Sequence, residues 1–277
     1  MARSLSSEVL DRSAIAGLQV VVTGSSSGIG SAIAGRLLAL GCVVHGFDVA
    51  PATHVGPHFH ATTVDLTDGA QVNASARACA HADALVHAAG VMRVGNLGTL
   101  DHRAGELMWR LHVDAATRLA DVLVPAMVER GRGRVVLIGS RVAQGMPGRG
   151  QYAATKAALI ALARSWAREV AAKGVTIDVV SPAATATAML EDPARAASAP
   201  RMPPLGRLIE PAEIAEVVAF LLSPAAAVTG QDIAVCGAAS LPPDRPHSSI
   251  PDPAGLSSTL GHFGHPFALL LGTPCLS

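Results

Sequence analysis

The chain has 277 residues, enough for one large α/β domain or two small ones that fold without disulfides or metals. Its 21 basic and 21 acidic side chains cancel and only 3% of residues are aromatic, which argues against nucleic acid or anionic lipid as a partner. Half the residues are apolar, but they are mostly Ala and Val spread along the chain, and no run reaches the roughly 20 residues of a membrane span.

The opening arm, residues 1–17, has scattered charges and no apolar run ahead of a small-residue cleavage site, so it does not read as a secretory signal and a cytoplasmic location is expected. From Leu18 onward, β-branched apolar runs alternate with Ala/Leu stretches of helical period, the pattern of βαβ units around a parallel sheet. A first strand, Gln19–Thr23, runs into Thr23-Gly24-Ser25-Ser26-Ser27-Gly28-Ile29-Gly30 and then into a helix over Ile29–Leu40. Glycines let the backbone approach a diphosphate while free N–H groups and the positive helix end face it, so Gly24, Ser27, Gly28, Ile29 and Gly30 are candidate dinucleotide binders. A tight packing turn is the plainer use of such a loop, but its place between strand and helix favours binding. The second strand, Cys42–Asp48, ends on a carboxylate that can accept from ribose hydroxyls and would repel a 2′-phosphate. With Ser27 before Gly28 and no Arg or Lys beside Asp48, NAD is expected rather than NADP, the alternative being that Asp48 only caps its strand. The spacing of His54, His58 and His60 permits a metal site, but a loop that happens to carry histidines is the expected reading, and no metal is expected.

The third strand, Ala61–Asp65, brings Asp65-Leu66 to the same crevice, where the carboxylate bonds the adenine amino group or serves as a turn residue. After a helix over Gly69–Ala80, the fourth strand, Ala84–His87, leads into His87-Ala88-Ala89-Gly90. The small Ala89 and Gly90 let the backbone pass close to a cofactor, and His87 reads as a packed histidine. One long helix is expected over Arg103–Glu129, and Arg130–Arg134 reads as a solvated turn. The fifth strand, Arg134–Gly139, ends at Ser140, and the next helix, Gln151–Lys173, opens with the chain's single tyrosine. Tyr152 and Lys156, four residues apart, project from one helix face into one site. A phenol of pKa about 10 is a poor base, but a nearby ammonium and a positive nicotinamide favour the phenolate. Tyr152 can then take a hydroxyl proton as hydride leaves the substrate carbon. Ser140 can hold the substrate oxygen, although a serine after a strand is ordinarily a turn or cap residue. A strand over Thr176–Ser181, a helix over Pro211–Leu222 and a strand over Ile233–Cys236 complete a domain of residues 18–240. Residues 241–277 hold seven of the 18 prolines and little periodicity, and are expected to form a weakly ordered tail with a short apolar patch at Phe267–Leu271. Cys42, Cys79, Cys236 and Cys275 form no CxxC pair, and free thiols are expected.

As a set, Thr23-Gly24-x-x-x-Gly28-x-Gly30, Asp65, Ala89-Gly90, Ser140 and Tyr152-x-x-x-Lys156 resemble the short-chain dehydrogenase/reductase family from about Leu18 to Ser240. The resemblance implies a Rossmann-type, doubly wound, seven-stranded parallel sheet with helices on both faces. It also implies a Ser-Tyr-Lys catalytic set, a small-molecule substrate, and a homotetramer or homodimer built through the two long helices. In that scheme Lys156 also binds the nicotinamide ribose. The segment Ser181–Thr187 looks like the family's Pro-Gly-x-x-x-Thr stretch, which assigns Pro182, Thr185 and Thr187 to the nicotinamide carboxamide side. Residues up to Arg207, among them Met189, Leu190, Arg195, Met202 and Leu205, look like a substrate lid. Three positions depart from the family. His112 stands where an Asn supports a water-mediated relay to the lysine; a histidine there anchors a water, titrates in its place, or stops the relay. Ala183 replaces a Gly and is strained if that position needs positive φ. His87-Ala88 replaces Asn-Asn.

The resulting expectation is an NAD-dependent oxidoreductase for a secondary alcohol, polyol or sugar, with Ser140, Tyr152, Lys156 and His112 as the candidate catalytic residues. A 3-oxoacyl or other carbonyl reductase would use the same residues in reverse, disfavoured by Asp48. A catalytically weakened dinucleotide-binding subunit, suggested by His112 and Ala183, is the alternative from another class, opposed by the intact Ser140, Tyr152 and Lys156.

Overall fold

The computed structural model describes residues 14–192, 201–224 and 226–241. The arm up to residue 13, the lid residue Arg195, the tail from residue 242 with its Phe267–Leu271 patch, and Cys275 lie outside the described residues.

Strands β1 (Gln19–Thr23), β2 (Val43–Asp48), β3 (Phe59–Thr63), β4 (Ala84–His87), β5 (Gly133–Ile138), β6 (Val175–Pro182) and β7 (Asp232–Val235) form one sheet in the order β3-β2-β1-β4-β5-β6-β7, every pairing parallel. Helices α1 (Gly28–Ala39), α2 (Gly69–Ala78), α3 (His102–Trp109), α4 (Ala115–Glu129), α5 (Gly150–Val170) and α6 (Pro211–Leu222) cover both faces. The strand residues show why. Val20 and Val22 of β1 pack with Ile33 and Leu37 of α1 and with Ile214 and Val218 of α6, whereas Val21 packs on the opposite face with Leu119 and Leu123 of α4 and Leu159 of α5. A strand buried on both faces must be apolar throughout rather than alternating, which is how β1 reads. Each such side chain, fully buried, contributes about 1.5–3 kcal/mol. Because β1 pairs with β2 on one side and β4 on the other, the connections leaving β1 and β4 diverge to opposite faces and open a crevice at their carboxyl ends.

The element bounds follow the sequence closely, with two informative differences. β3 ends two residues early: the side chain of Phe59 fills the space above Gly46, and Asp65 leaves the strand to accept from the Thr67 N–H and hydroxyl at 2.8 and 2.7 Å. The expected long helix of residues 103–129 is two helices, α3 and α4, joined by a π-helical turn over Arg110–Asp114. The strain anticipated at Ala183 is also missing, since the one non-glycine residue with positive φ among those described is Ala238. Ala183 N–H instead bonds the Val235 carbonyl at 3.1 Å, as a regular continuation of the β6–β7 pairing. His54 turns to Ser31 of α1, 3.0 Å from its hydroxyl, while His60 lies against His45, so the three histidines of that segment do not converge. Cys42, Cys79 and Cys236 are free thiols. Among the described residues no helix is long and apolar enough to cross a membrane.

Candidate active site

The crevice at the carboxyl ends of the strands has a volume of about 510 Å³ and runs past the ends of β1, β2, β4, β5 and β6. Its floor is the glycine loop. Gly24 has φ of +68°, and a Cβ there would lie 2.9 Å from the Ala89 backbone; a Cβ on Gly30 would lie 2.1 Å from the Gly24 carbonyl oxygen. These two positions hold β1, β4 and α1 closer together than any side chain allows. The first turn of α1 lines the crevice, carries no acidic residue and receives no side-chain cap from Ser27, so no side chain of the helix start competes with an anion for its N-terminal N–H groups. That arrangement fits the diphosphate of a dinucleotide.

Gly24, Ser27, Gly28, Ile29, Gly30, Asp48, Asp65, Leu66, Ala89, Gly90, Ser140, Tyr152, Lys156, Pro182, Thr185 and Thr187 all lie on the crevice wall. At one end, Asp48 accepts from the Ser26 and Ala50 N–H groups at 2.9 Å each, which fixes its carboxylate toward the wall and leaves lone pairs for further donors. Asp65 is nearby, with one oxygen engaged by Thr67. At the other end, Ser140 follows β5 and Tyr152 and Lys156 lie on the first two turns of α5. The Ser140 hydroxyl oxygen accepts from the Val142 N–H at 3.2 Å. Lys156 Nζ lies 5.8 Å from the centre of the Tyr152 ring and donates to the Ile138 carbonyl at 2.8 Å. Burial lowers the Lys156 pKa to about 7.

His112 is the exception. It is not on the crevice wall but behind Gly90, fully buried in the π-helical turn. Both ring nitrogens are engaged by protein: Nε2 accepts from the Val91 N–H at 3.1 Å, and Nδ1 lies 2.8 Å from Thr155 Oγ1. Burial first, then Lys156 and His87, hold its pKa well below the usual histidine value, against a smaller upward pull from a backbone hydrogen bond with Val91. Both ring nitrogens are thus within hydrogen-bond distance of protein groups.

Residues 24–239 match a family model described as enoyl-(acyl carrier protein) reductase. The chain belongs to the short-chain dehydrogenase/reductase family. As a family member it is an NAD(P)-dependent oxidoreductase acting on CH–OH or carbonyl groups. Among curated relatives, this short-chain dehydrogenase/reductase is 34% identical over 232 residues to the 3-oxoacyl-(acyl-carrier-protein) reductase of Vibrio harveyi, covering 78% of this chain and 95% of that one. Among solved structures it resembles the 3-ketoacyl-(acyl-carrier-protein) reductase of Brucella melitensis complexed with NADH, with a TM-score of 0.75 and 26% identity over 82% of this chain and 99% of that one. It also resembles a structure assigned as an NAD(P)-dependent gluconate 5-dehydrogenase from Beutenbergia cavernae with bound NADP, with a TM-score of 0.76 and 31% identity over 82% and 98% of the two chains.

Several contacts around the site of this short-chain dehydrogenase/reductase are not legible in the sequence. Thr23 Oγ1 accepts from the Ala88 and Ala89 N–H groups at 3.1 Å and lies 3.0 Å from His87 Nδ1, tying β1 to the end of β4. Thr155 links His112 to the Tyr152 carbonyl. Its place between Tyr152 and Lys156 was visible; its partner, 43 residues away, was not. Met92 and Met146 line the substrate end and join Met108, Val142 and Tyr152 in a small apolar cluster beside the site.

Proposed function

We propose that the protein is an NAD(H)-linked oxidoreductase that interconverts a ketone and a secondary alcohol on an apolar, acyl-type substrate, with 3-oxoacyl thioesters as the best-supported class. The observation that carries this reading is the composition of the crevice's substrate end. Met92, Leu107, Val142, Met146, Met189 and Leu190 line it, whereas the carboxylates on the described wall, Asp48 and Asp65, stand at the other end, and that wall contains no Asn, Gln or Glu. The apolar side chains there suit an acyl chain better than the many hydroxyls of a polyol or sugar, for which Ser140, Tyr152 and the wall arginines are the donors and acceptors at that end. Flexible methionines instead suit a chain of variable shape. Arg141, Arg149 and Arg201 add positive charge to the same wall, which suits an acyl group delivered on an anionic carrier. The similarity to the Vibrio harveyi reductase supports the same class. Asp48 favours NAD over NADP, because a 2′-phosphate would meet a carboxylate already fixed by two N–H groups. The NADH complex of the Brucella melitensis reductase is a relative in which acyl chemistry and NADH go together.

When bound, the nicotinamide supplies or accepts the hydride. Gly24, Ser27, Gly28, Ile29 and Gly30 would hold the diphosphate, Asp48 the ribose, and Asp65 and Leu66 the adenine. Ala89, Gly90, Pro182, Thr185 and Thr187 would hold the nicotinamide, and Lys156 its ribose. The Ser140 hydroxyl oxygen accepts from the Val142 N–H, so its own O–H is free to form a hydrogen bond to the substrate oxygen without transferring its proton. Tyr152 gives a proton to that oxygen in reduction and takes it back in oxidation. A charged Lys156 favours the phenolate form of Tyr152. A cytoplasmic dimer or tetramer assembled through α4 and α5 belongs to the same reading. The weakened-subunit alternative loses both its motives, since Ala183 is unstrained and His112 has its own hydrogen-bond partners.

The test is a comparison of kcat/KM with NADH for 3-oxoacyl thioesters of increasing chain length, and with NAD for polyols and sugars. The expected result is a preference for the thioesters of about a hundredfold or more, the scale on which a site rejects ligands that leave polar groups unpaired. A polyol or sugar turned over at least as well would overturn the reading.

A further inference from the structure

The hydrogen bonds around His112 have only one consistent direction. A backbone N–H can only donate, so Nε2, which faces Val91 N at 3.1 Å, presents a lone pair. The Thr155 hydroxyl gives its proton to the Tyr152 carbonyl at 2.8 Å, so in its 2.8 Å contact with His112 the hydroxyl oxygen accepts and Nδ1 carries the proton. The bonds therefore run from Val91 N–H to the imidazole, from the imidazole to Thr155, and from Thr155 to the backbone of Tyr152. Only a neutral ring with its proton on Nδ1 satisfies all three.

This chain of bonds spans the parts that must be mutually placed. Val91 belongs to the segment after β4 that carries Ala89 and Gly90, and Thr155 lies on the turn of α5 between Tyr152 and Lys156. A Cβ on Gly90 would lie 3.0 Å from His112 Nε2 and 3.6 Å from Lys156 Nζ. The His112 ring also stands edge-on to the Tyr152 ring, with centroids 5.7 Å apart and an interplanar angle of 88°. The π-helical turn Arg110–Asp114 brings the ring to this position with 0% exposure.

We propose that His112 is a positioning residue: a neutral imidazole, locked with its proton on Nδ1, that sets the spacing between the Ala89–Val91 backbone and the Tyr152–Lys156 turn without taking part in proton transfer. The proposal rests on the roles given above to Tyr152 and Lys156. The titratable groups facing the ring explain why it stays neutral. Lys156 and Tyr152 face it from α5 and His87 from β4, so a proton on His112 would put a second cation beside a buried ammonium.

Nitrogen NMR of the full-length protein labelled at histidine nitrogens tests the ring directly. His112 is expected to show the proton on Nδ1 and no titration between about pH 5 and 8, the range in which free histidines charge. A proton on Nε2, or a titration in that range, would overturn the proposal. Kinetics then test the positioning role. Thr155→Val and His112→Leu should each lower kcat about tenfold to a hundredfold, the scale of a displacement near 1 Å at the reacting groups. NADH should still bind, because the glycine loop and Asp48 lie away from this chain of bonds, and any loss of affinity should be smaller than the loss of kcat. Because both residues belong to one chain of bonds, the double variant should lose little more than the worse single variant. Losses that multiply, or an unchanged kcat in Thr155→Val, would contradict the proposal, and Thr155→Val serves this purpose even if His112→Leu does not fold. Tyr152→Phe separates the two levels: an active Tyr152→Phe enzyme would remove the assigned acid and base but leave the ring-nitrogen result standing.

Discussion

Asp48 shows how a single side chain can be read correctly in type and incompletely in context. Its place at the end of β2 was legible because a carboxylate ends the second strand about 20 residues after the glycine loop, but its anchoring by Ser26 and Ala50 was not, since both bonds depend on loop geometry. The anchoring sharpens the expected outcome of Asp48→Ala. Loss of a fixed, charged acceptor should weaken NAD binding by about tenfold or more, from a charged hydrogen bond of roughly 1.5–3 kcal/mol, and should narrow the gap to NADP. Calorimetric titration of both cofactors checks it; an unchanged preference would mean that Asp48 does not meet the ribose. Tyr152 and Lys156 were legible for a different reason. Their four-residue spacing on a helix is local, so nothing distant had to be known. His112 was the opposite case. Its partners Val91 and Thr155 stand 21 and 43 residues away, so residue type alone left open whether the ring anchors a water, titrates or stops a relay.

At the level of elements, the strands and most helices could be read from apolar periodicity, because each is a local pattern buried against a neighbour. The π-helical turn between α3 and α4 could not. One widened turn shifts the helix phase by a single residue, too little to register in a pattern averaged over several turns. The end of β3 was misplaced for a related reason: Thr63 and Asp65 suit a strand end equally, and the decision falls to the Phe59 contact above Gly46 and to the turn that Asp65 caps. The segment after β6 leads to a prediction. Ala183 has an ordinary backbone conformation and continues the pairing with β7, so Ala183→Gly should not raise activity. Activity within about twofold of the parent and a stability loss of roughly 0.5–1 kcal/mol, from added freedom in the unfolded chain, are expected. Parallel steady-state kinetics and thermal denaturation check both; a large gain in kcat would show that Ala183 strains the loop.

For the molecule as a whole, the buried ammonium links the site to stability. The Lys156 pKa is lowered to about 7 by burial, against about 10.4 in an unfolded chain. Between these values the unfolded state holds a proton that the folded state has released, so stability rises with pH there and is lowest below about pH 7, where folding buries the charge. Cys42 acts in the opposite sense above about pH 8.5, because burial pushes its pKa up to about 11 while an unfolded thiol ionises near 8.5. The ligand-free protein should therefore gain Tm between about pH 7 and 8.5, and Lys156→Met should flatten that rise; equal slopes in the two proteins would mean that Lys156 is not held in a depressed state.

The central claim, that Tyr152 drives NADH-linked reduction of an apolar 3-oxoacyl group, is tested most directly by the loss of reduced-nicotinamide absorbance with a 3-oxobutanoyl thioester, in the parent protein and in Tyr152→Phe. The account predicts steady NADH consumption by the parent and a loss of about a thousandfold or more in the variant with NADH binding retained, in keeping with the usual contribution of a general acid or base of about 10²–10⁴-fold. Tight NADH binding without turnover by the parent, or undiminished turnover by Tyr152→Phe, would contradict it.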